Sequence, residues 1–492
     1  MLKIRTWNHV FIRLKHSKTH WSQAQKKQFA KDRALENFDD FYGQVYGKGW
    51  KSIRIALLSE HKYMALVNQF GDNEQTVARL EAEGAINVRE VYKARKRNMT
   101  ESNQTMFAKD RVFKMDQKIG VFAEQQQRQE MEKIYHNDVP DSGVSFEKNE
   151  VGEAKTVDYK KSLNRTLHDD TEMDYQRLID PSTGSSSLHE FIPATKLKGM
   201  EDYVPESDHY KYYNTNADFP IKIEMEHNFE IPENLDIYTY ERCNTSQFEP
   251  PRTSSTGVLS HILLDGASIL PALALDVQPG DRVLDACAAP GGKSLLLLQT
   301  LRPGTLVCND LQESRVNRIK KLMNSYFYDF NERWRKNRCF ITQTDARDLK
   351  EYDMYDRVLV DVPCTTDRHS VMENDNNIFK PGRVKERIRL PELQAAILSN
   401  CLKLLRPGGS LVYSTCSLSP VQNDGVVHMA LSNVFNDTGL TVTVKDLSLV
   451  MQPFSDLFKF AFPNTLKYGQ LVLPFLPTNF GPMYFCKLQR NT

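Results

Sequence analysis

Apolar positions fall into three regimes along the chain. Aromatic and aliphatic residues recur at helical spacing from Phe38 to Tyr92, beginning "FDDFYGQVYGKGWKSIRIALLSEHKYMALVNQF", which predicts a small helical N-terminal module over residues 31–95. From about Lys96 to Asn214 the periodicity fades and turn formers multiply, as in "EQQQRQEMEK", "DDTEMDYQ" and "PSTGSSS". Residues 96–214 are therefore expected to be a polar linker or insert, partly disordered, with one short helix around Phe122 to Tyr135. From about Phe219 onward strand-like runs alternate with helical ones, so residues 215–492 are expected to form an α/β domain whose mostly parallel sheet is covered on both faces. Two of its β-branched runs, "VLVDVPCTTDRHS" (Val358 to Ser370) and "GSLVYSTCSLSP" (Gly409 to Pro420), each end on a polar turn that holds one cysteine, Cys364 and Cys416. No internal repeat is visible.

Composition adds limits. The 492 residues suffice for more than one domain, but 26% charged residues and a mean hydropathy of -0.53 are polar for a fully folded enzyme, which supports an unpacked insert. A net charge of +1 gives no global basic field that would advertise a nucleic-acid partner. The eight cysteines form no C-x-x-C pair and have no histidine at zinc-finger spacing, which favours free thiols in a reducing compartment and no metal. "SILPALALDV" is shorter than the roughly 20 residues that cross a bilayer, so no membrane insertion is expected. Residues 1–30 carry no Asp or Glu, while Lys3, Arg5, Arg13, Lys15, Lys18, Lys26 and Lys27 alternate with Ile4, Trp7, Val10, Phe11, Ile12 and Leu14. That is the composition of a mitochondrial transit peptide, and its plain alternative is a basic tail.

The first candidate site lies in "DRVLDACAAPGGKSLLLLQTL" (Asp281 to Leu301), a strand, a glycine turn and a buried helix. Gly291 and Gly292 would let the backbone approach a ligand, and the amides of the helix start attract a carboxylate or phosphate. Asp310 follows on the next strand, where an acidic side chain accepts both hydroxyls of a ribose. The spacing is neither G-x-G-x-x-G nor the P-loop. It suits a ribose-bearing ligand without a pyrophosphate, of which S-adenosylmethionine is the commonest on this architecture; the plain alternative is a tight turn. Near Cys416, Ser419 and Pro420 read as the N-cap and first residue of a helix, which would place the thiol before a helix N-terminus and lower its pKa.

"DACAAPGGKS", "DVPCTTDRHS" and "YSTCSLS", together with "GQLVLPF" and "FGPMYFCKLQR", resemble the signature motifs of the Nol/Nop/Sun RNA (cytosine-5)-methyltransferases over about Leu264 to Arg490. The resemblance implies a Rossmann-like S-adenosylmethionine-dependent methyltransferase fold. It further implies that Cys416 attacks carbon 6 of cytosine, that Cys364 assists the later elimination, and that Asp361 bonds the ring edge. For the cofactor it implies contacts from Asp285, Cys287, Ala288, Ala289, Pro290, Gly291, Gly292, Lys293, Asp310 (ribose), Arg315, Asp345 (near the adenine) and Asp361. Cys287 also reads simply as a small residue packed behind the turn. Most of the family follows Pro-Cys with Ser-Gly, whereas this chain has Thr365, Thr366, Asp367, Arg368 and His369. That departure, with the N-terminal module, is similar to the mitochondrial branch that modifies small-subunit ribosomal RNA. It implies a matrix location, a role in ribosome assembly and a termination-factor-like helical repeat protein as partner.

Lys380, Arg383, Lys385, Arg387 and Arg389, just after the Cys364 loop, read either as a phosphate track or as a solvated charged loop. Three other functions stay open at this point. They are a non-catalytic assembly factor, methylation of mitochondrial tRNA, and a DNA cytosine methyltransferase in which the Pro-Cys thiol attacks.

Overall fold

The computed structural model describes residues 29–99, 219–461 and 466–491. Most of the expected transit peptide and most of the polar insert, including its short helix, lie outside the described residues. In chain order the strands are β1 (Tyr63–Val67), β2 (Ile86–Asn87), β3 (Lys222–Met225), β4 (Ile237–Thr239), β5 (His261–Asp265), β6 (Arg282–Asp285), β7 (Thr305–Asn309), β8 (Cys339–Thr342), β9 (Tyr355–Asp361), β10 (Leu405–Thr415), β11 (Val442–Asp446), β12 (Lys459–Phe460), β13 (Gln470–Leu473) and β14 (Met483–Arg490).

The larger sheet runs β12-β13-β14-β10-β9-β6-β7-β8, with β11 also paired to β14 and β3 to β11. Neighbours from β10 to β8 are parallel, and β14 lies antiparallel on β10. These strands are short apolar runs buried on both faces, the usual state of parallel strands. Alternate residues point to opposite sides. Leu284, Val358, Val360, Leu411 and Tyr413 join the cluster that takes in Leu398 and Val426 from the helices Val384–Leu404 and Asp424–Thr438. Val283, Leu359 and Val412 meet Leu270, Leu296 and Ile319 from the helices Ile269–Ala274, Gly292–Gln299 and Glu313–Tyr326.

Chain order reverses between β6 and β9, since β7 and β8 are added on one side and β9 and β10 on the other. A reversal of this kind opens a crevice at the carboxyl ends of the strands, where ligands bind in open α/β sheets. The chain leaves β6 and β9 at Asp285 and Asp361, so both candidate loops start there.

The N-terminal segment, expected as a small helical module over 31–95, also contains β1 and β2, and its helices join the core of the larger sheet. Helix α1 (Ala30–Tyr46) and helix α2 (Trp50–Leu58) pack Phe38, Tyr42, Trp50, Ile53 and Leu57 into the same apolar cluster as Val358 and Leu398. Ala34, Phe38 and Tyr42 are four apart and share one helix face. The Phe38 ring meets Phe379 edge-on at 5.2 Å. Burying five such side chains stabilises by on the order of 10 kcal/mol, comparable with the net stability of a whole domain. Beyond α2, β1 sits between β4 and β5 in a second sheet ordered β2-β4-β1-β5. A five-residue apolar run such as "YMALV" carries no period of its own, and its partners lie beyond the insert, so the helical rhythm absorbed it. No helix among the described residues is long and apolar enough to cross a membrane.

Candidate active site

The turn after β6 is built by packing as much as by openness to a ligand. Gly291 has φ +110, in the left-handed region, and caps the helix Gly292–Gln299. A Cβ on Gly291 would meet Leu322 at 2.9 Å, and one on Gly292 would meet Leu264 at 2.7 Å. A side chain at Gly292 would push the tip of Leu264 of β5 aside, so packing favours a small residue there in addition to the close approach to a ligand that the sequence suggested. Ala288 is buried, Ala289 half-buried and Pro290 exposed. Cys287 packs against the apolar cluster and burial pushes its thiol well up, which favours its reading as a packed residue.

Two carboxylates frame this turn. Asp285 is buried; Ser294 Oγ donates to its Oδ2 at 2.5 Å, while its Oδ1 is buried with no hydrogen-bond partner among the described residues. Burial pushes its carboxyl up to about 7. Asp310 accepts from the amides of Ala289 (3.3 Å) and Gln312 (3.2 Å) and from Arg315 Nε (3.0 Å), while Arg315 Nη2 donates to Ala289 O at 3.1 Å. Arg315 therefore ties the turn to the tip of β7. An unpartnered buried oxygen, a carboxylate at the next strand tip and a free helix start fit a ligand that brings N–H donors and hydroxyls, as S-adenosylmethionine does. Asp345 lies on the loop beyond β8, held by the Arg347 guanidinium at 2.7 Å, which keeps its carboxyl below the usual range. Asn309 was not singled out by sequence. It donates to Ala286 O (3.1 Å) and Thr344 O (2.8 Å) and accepts from Thr342 Oγ1 (2.9 Å), so it locks the tips of β6, β7 and β8 together.

Register brings the second set of residues together. Ser414 of β10 pairs directly with Asp361 of β9, and Ser414 Oγ donates to Asp361 Oδ1 at 2.7 Å. Lys293 Nζ, from the first turn of the helix after the glycines, lies 2.8 Å from Asp361 Oδ2. Burial alone would pull Lys293 down, but the Asp361 carboxylate reverses this and holds the ammonium above its ordinary value. Three residues past Asp361 and two past Ser414, the sulfurs of Cys364 and Cys416 stand 3.2 Å apart. At this distance one thiol can donate to the other sulfur. The hydrogen bond from Cys416 lowers the Cys364 thiol, and the same bond together with burial raises Cys416.

The helix expected to start at Ser419 and Pro420 starts instead at Asp424. Residues 420–423 form a turn, with the amides of Gln422 and Asn423 both donating to Ser419 O at 3.1 Å. The Asn423 side chain, which could have capped the helix, accepts from Thr415 Oγ1 at 2.6 Å and donates to Ser417 O at 3.0 Å. Cys416 is therefore more than one turn from the helix, where the macrodipole has decayed, and no lowering of its thiol results.

What places the two sulfurs is Asp367, which sequence flagged only as a departure. Its fully buried carboxylate accepts from Tyr42 Oη of α1 (2.6 Å), the Leu418 amide (2.7 Å), Ser417 Oγ (3.2 Å) and Thr365 Oγ1. Burial raises its carboxyl, and these donors work against that rise. Gln422 Oε1 accepts from the Thr365 amide at 3.1 Å, a further tie between the loops, and Gln394 Nε2 of the helix Val384–Leu404 donates to Pro363 O at 2.8 Å and to Gln422 Oε1 at 3.2 Å. Arg368 Nε donates to Gly481 O (2.8 Å) and Nη1 to Ala56 O (3.0 Å), joining this loop to α2 and to the chain before β14.

The basic stretch after Cys364 is only partly available for RNA. Arg383 pairs with Glu386 at 2.6 Å, and the Arg387 guanidinium lies over the Phe379 ring at 4.5 Å. Lys380, Lys385 and Arg389 remain exposed.

Comparison with known proteins points the same way as the geometry. The family described as 16S rRNA methyltransferase RsmB/F matches residues 272–466. The 5-cytosine rRNA methyltransferase nsun-4 of Caenorhabditis elegans is 33% identical, with 98% of this chain and 96% of that protein aligned. The 5-cytosine rRNA methyltransferase NSUN4 of Mus musculus is 36% identical over 100% of this chain and 97% of that protein. A mitochondrial tRNA (cytosine(34)-C(5))-methyltransferase of Mus musculus is 37% identical over 49% of this chain and 67% of its own length.

Two outcomes follow from these contacts. Unfolded, Asp285 ionises near the ordinary value of about 4; folded, it keeps its proton to about 7. Between those values the folded state binds more protons, so this contribution is fully present below pH 4 and is lost as pH rises through 7. Urea denaturation from pH 4 to 8 should show a loss of up to about 4 kcal/mol that Asp285→Asn flattens. An equal slope in the variant would refute it. For Asp367, Tyr42→Phe should cost about 1–2 kcal/mol and Asp367→Asn more, because the amide turns N–H groups towards donors. Both should lower kcat for methylation while the S-adenosylmethionine Kd from calorimetry stays at the wild-type value; an unchanged kcat would mean that the clamp does not position the thiols.

Proposed function

Because the chain belongs to the RNA cytosine-5-methyltransferases of the RsmB/F family, enzymes that use S-adenosylmethionine, we propose that it methylates a cytosine in the ribosomal RNA of the mitochondrial small subunit through a covalent bond to Cys416. The observation that carries this reading is the pair of thiols 3.2 Å apart beside the Lys293–Asp361 ion pair. Carbon 5 of cytosine is a poor nucleophile, and addition of a thiolate to carbon 6 turns the ring into an enamine that can take a methyl group.

In the proposed reaction the hydrogen bond between the sulfurs favours the Cys364 thiolate, so Cys416 gives its proton to Cys364 as its own sulfur bonds to carbon 6. Asp361 holds the ring edge, and the Lys293 ammonium offsets the negative charge that grows at ring nitrogen 3. Bound at the glycine turn, S-adenosylmethionine supplies an electrophilic methyl group on a sulfonium. The enamine pair would form the new carbon–carbon bond as the methyl–sulfur bond breaks, its electron pair staying on sulfur to leave a neutral thioether. The hydrogen on carbon 5 then leaves as a proton to solvent, the carbon–sulfur bond breaks, and its electron pair returns to Cys416. Cys364 hands the borrowed proton back to that sulfur, which makes it the better leaving group. A DNA-type mechanism, with the Pro-Cys thiol as attacker, would give Cys416 no step.

Ribosomal RNA is favoured over tRNA because the rRNA relatives align along the whole chain, whereas the tRNA relative aligns along half of it. The acid-free, basic residues 1–30 support a mitochondrial matrix location. A helical repeat partner of the termination-factor type and a part in ribosome assembly complete the reading. An intact cysteine pair argues against a solely structural assembly factor.

The test is adduct trapping on an RNA substrate. Cys364→Ala should attack and transfer but release slowly, so that a protein–RNA bond surviving denaturing electrophoresis accumulates. Cys416→Ala and the double variant should form none, since groups acting in sequence on one intermediate are not additive. An adduct in Cys416→Ala that vanishes in Cys364→Ala would reverse the roles.

A further inference from the structure

The cations of this nearly neutral chain, 64 Lys and Arg against 63 Asp and Glu, are unevenly placed. Residues 311–338, between the tip of β7 and the start of β8, hold eight Lys and Arg against three carboxylates. Arg315 is engaged by Asp310. Arg318, Lys321, Arg333, Arg335, Lys336 and Arg338 are exposed, and none pairs with a carboxylate among the described residues.

Their layout is a strip. The helix Glu313–Tyr326, about 21 Å long at 1.5 Å per residue, runs past the glycine turn, with Arg315 bonded to Ala289 O and Leu322 of its third turn against Gly291. Arg318 and Lys321 share its outer side. At its far end a groove of about 900 Å³ is lined by Phe70, Tyr328, Glu332, Arg333, Trp334 and Arg338 among others. Phe327 fixes the floor, with its ring 5.0 Å from Phe70 and 4.6 Å from Trp334, and the Arg338 guanidinium lies 5.9 Å over Trp334. Tyr328 beside it is 59% exposed, a large ring left to solvent. The strip lies along β8, the outermost strand at this end of the sheet.

Unneutralised cations in a row release their counterions to a polyanion, and exposed aromatic rings bind unpaired bases by stacking. A duplex would use the cations and leave the ring idle. We propose that the outer face of helix Glu313–Tyr326 and the groove at its end bind a single-stranded segment of the RNA substrate remote from the target cytosine, with phosphates along the cations and a base on Tyr328. This rests on the reading of RNA as the substrate and adds where it is gripped.

Arg335→Glu/Lys336→Glu and Tyr328→Ala change exposed side chains only, so the thermal transition should stay at the wild-type value. Fluorescence anisotropy with a labelled single-stranded RNA of about 16 nucleotides, titrated at several salt concentrations, reads the site. The charge reversal should weaken binding about tenfold or more and cut the slope of log K against log salt by more than one. Tyr328→Ala should weaken binding about fivefold to tenfold with its slope unchanged. Both should raise KM for a long ribosomal transcript and leave kcat, and methylation of a short stem-loop holding only the target, as in wild type. Wild-type affinity and slope in both variants would overturn the proposal and leave the strip to an acidic partner protein. A wild-type chain that binds RNA in this way yet forms no adduct at Cys416 would instead fail the catalytic reading alone.

Discussion

One buried carboxylate holds the two cysteine loops against each other. Desolvating an isolated carboxylate costs several kcal/mol, so Asp367 persists at the centre of the molecule only because four donors converge on it. Those donors come from three stretches far apart in sequence: α1, the Cys364 loop and the Cys416 loop. Satisfying the carboxylate therefore fixes the loops against each other, and the 3.2 Å between the sulfurs follows from it. It also makes α1 part of the catalytic domain, since Tyr42 supplies a donor from a helix already sunk in the core. Arg368, the next residue, does the same for α2 through backbone carbonyls.

The sheet supplies the second constraint. Parallel pairing of β9 with β10 sets Ser414 opposite Asp361, and the reversal of strand order beside β6 brings Lys293 to the same carboxylate. Cofactor turn and cysteine pair are therefore adjacent because three consecutive strands end at one level. In the proposed reaction this sets the electrophile's site next to the nucleophile's before any ligand arrives, which is where most of the orientation cost of a two-substrate reaction lies.

Local signals in the sequence carried much of this. The α/β alternation, the glycine turn with Asp310, and the cysteines at two strand ends were readable because each is a short pattern on one element. What stayed hidden depends on partners distant in sequence. β1 has no period that marks it as a strand, and its neighbours lie beyond the insert. Asp367 reads as an ordinary polar loop residue until Tyr42 is seen against it, although an acid three residues past the Pro-Cys cysteine, in a loop with two threonines, was the available hint. The helix start at Pro420 failed for a similar reason: Asn423 is drawn into bonds with Thr415 and Ser417, and the chain needs one more turn before the helix can begin. At Gly292 the sequence suggested room for a ligand, and the contact with Leu264 of another sheet, a second reason for a small residue, could not be read from it.

The account stands or falls on whether this chain, through Cys416, modifies a cytosine in organellar ribosomal RNA. Bisulfite sequencing of mitochondrial small-subunit rRNA from cells depleted of the protein decides it directly, with the wild-type chain and Cys416→Ala each returned at equal abundance. The account predicts one cytosine that reads as methylated with the wild-type chain, and as unmethylated after depletion and with Cys416→Ala. Full methylation in the depleted cells, or its restoration by Cys416→Ala, would contradict it.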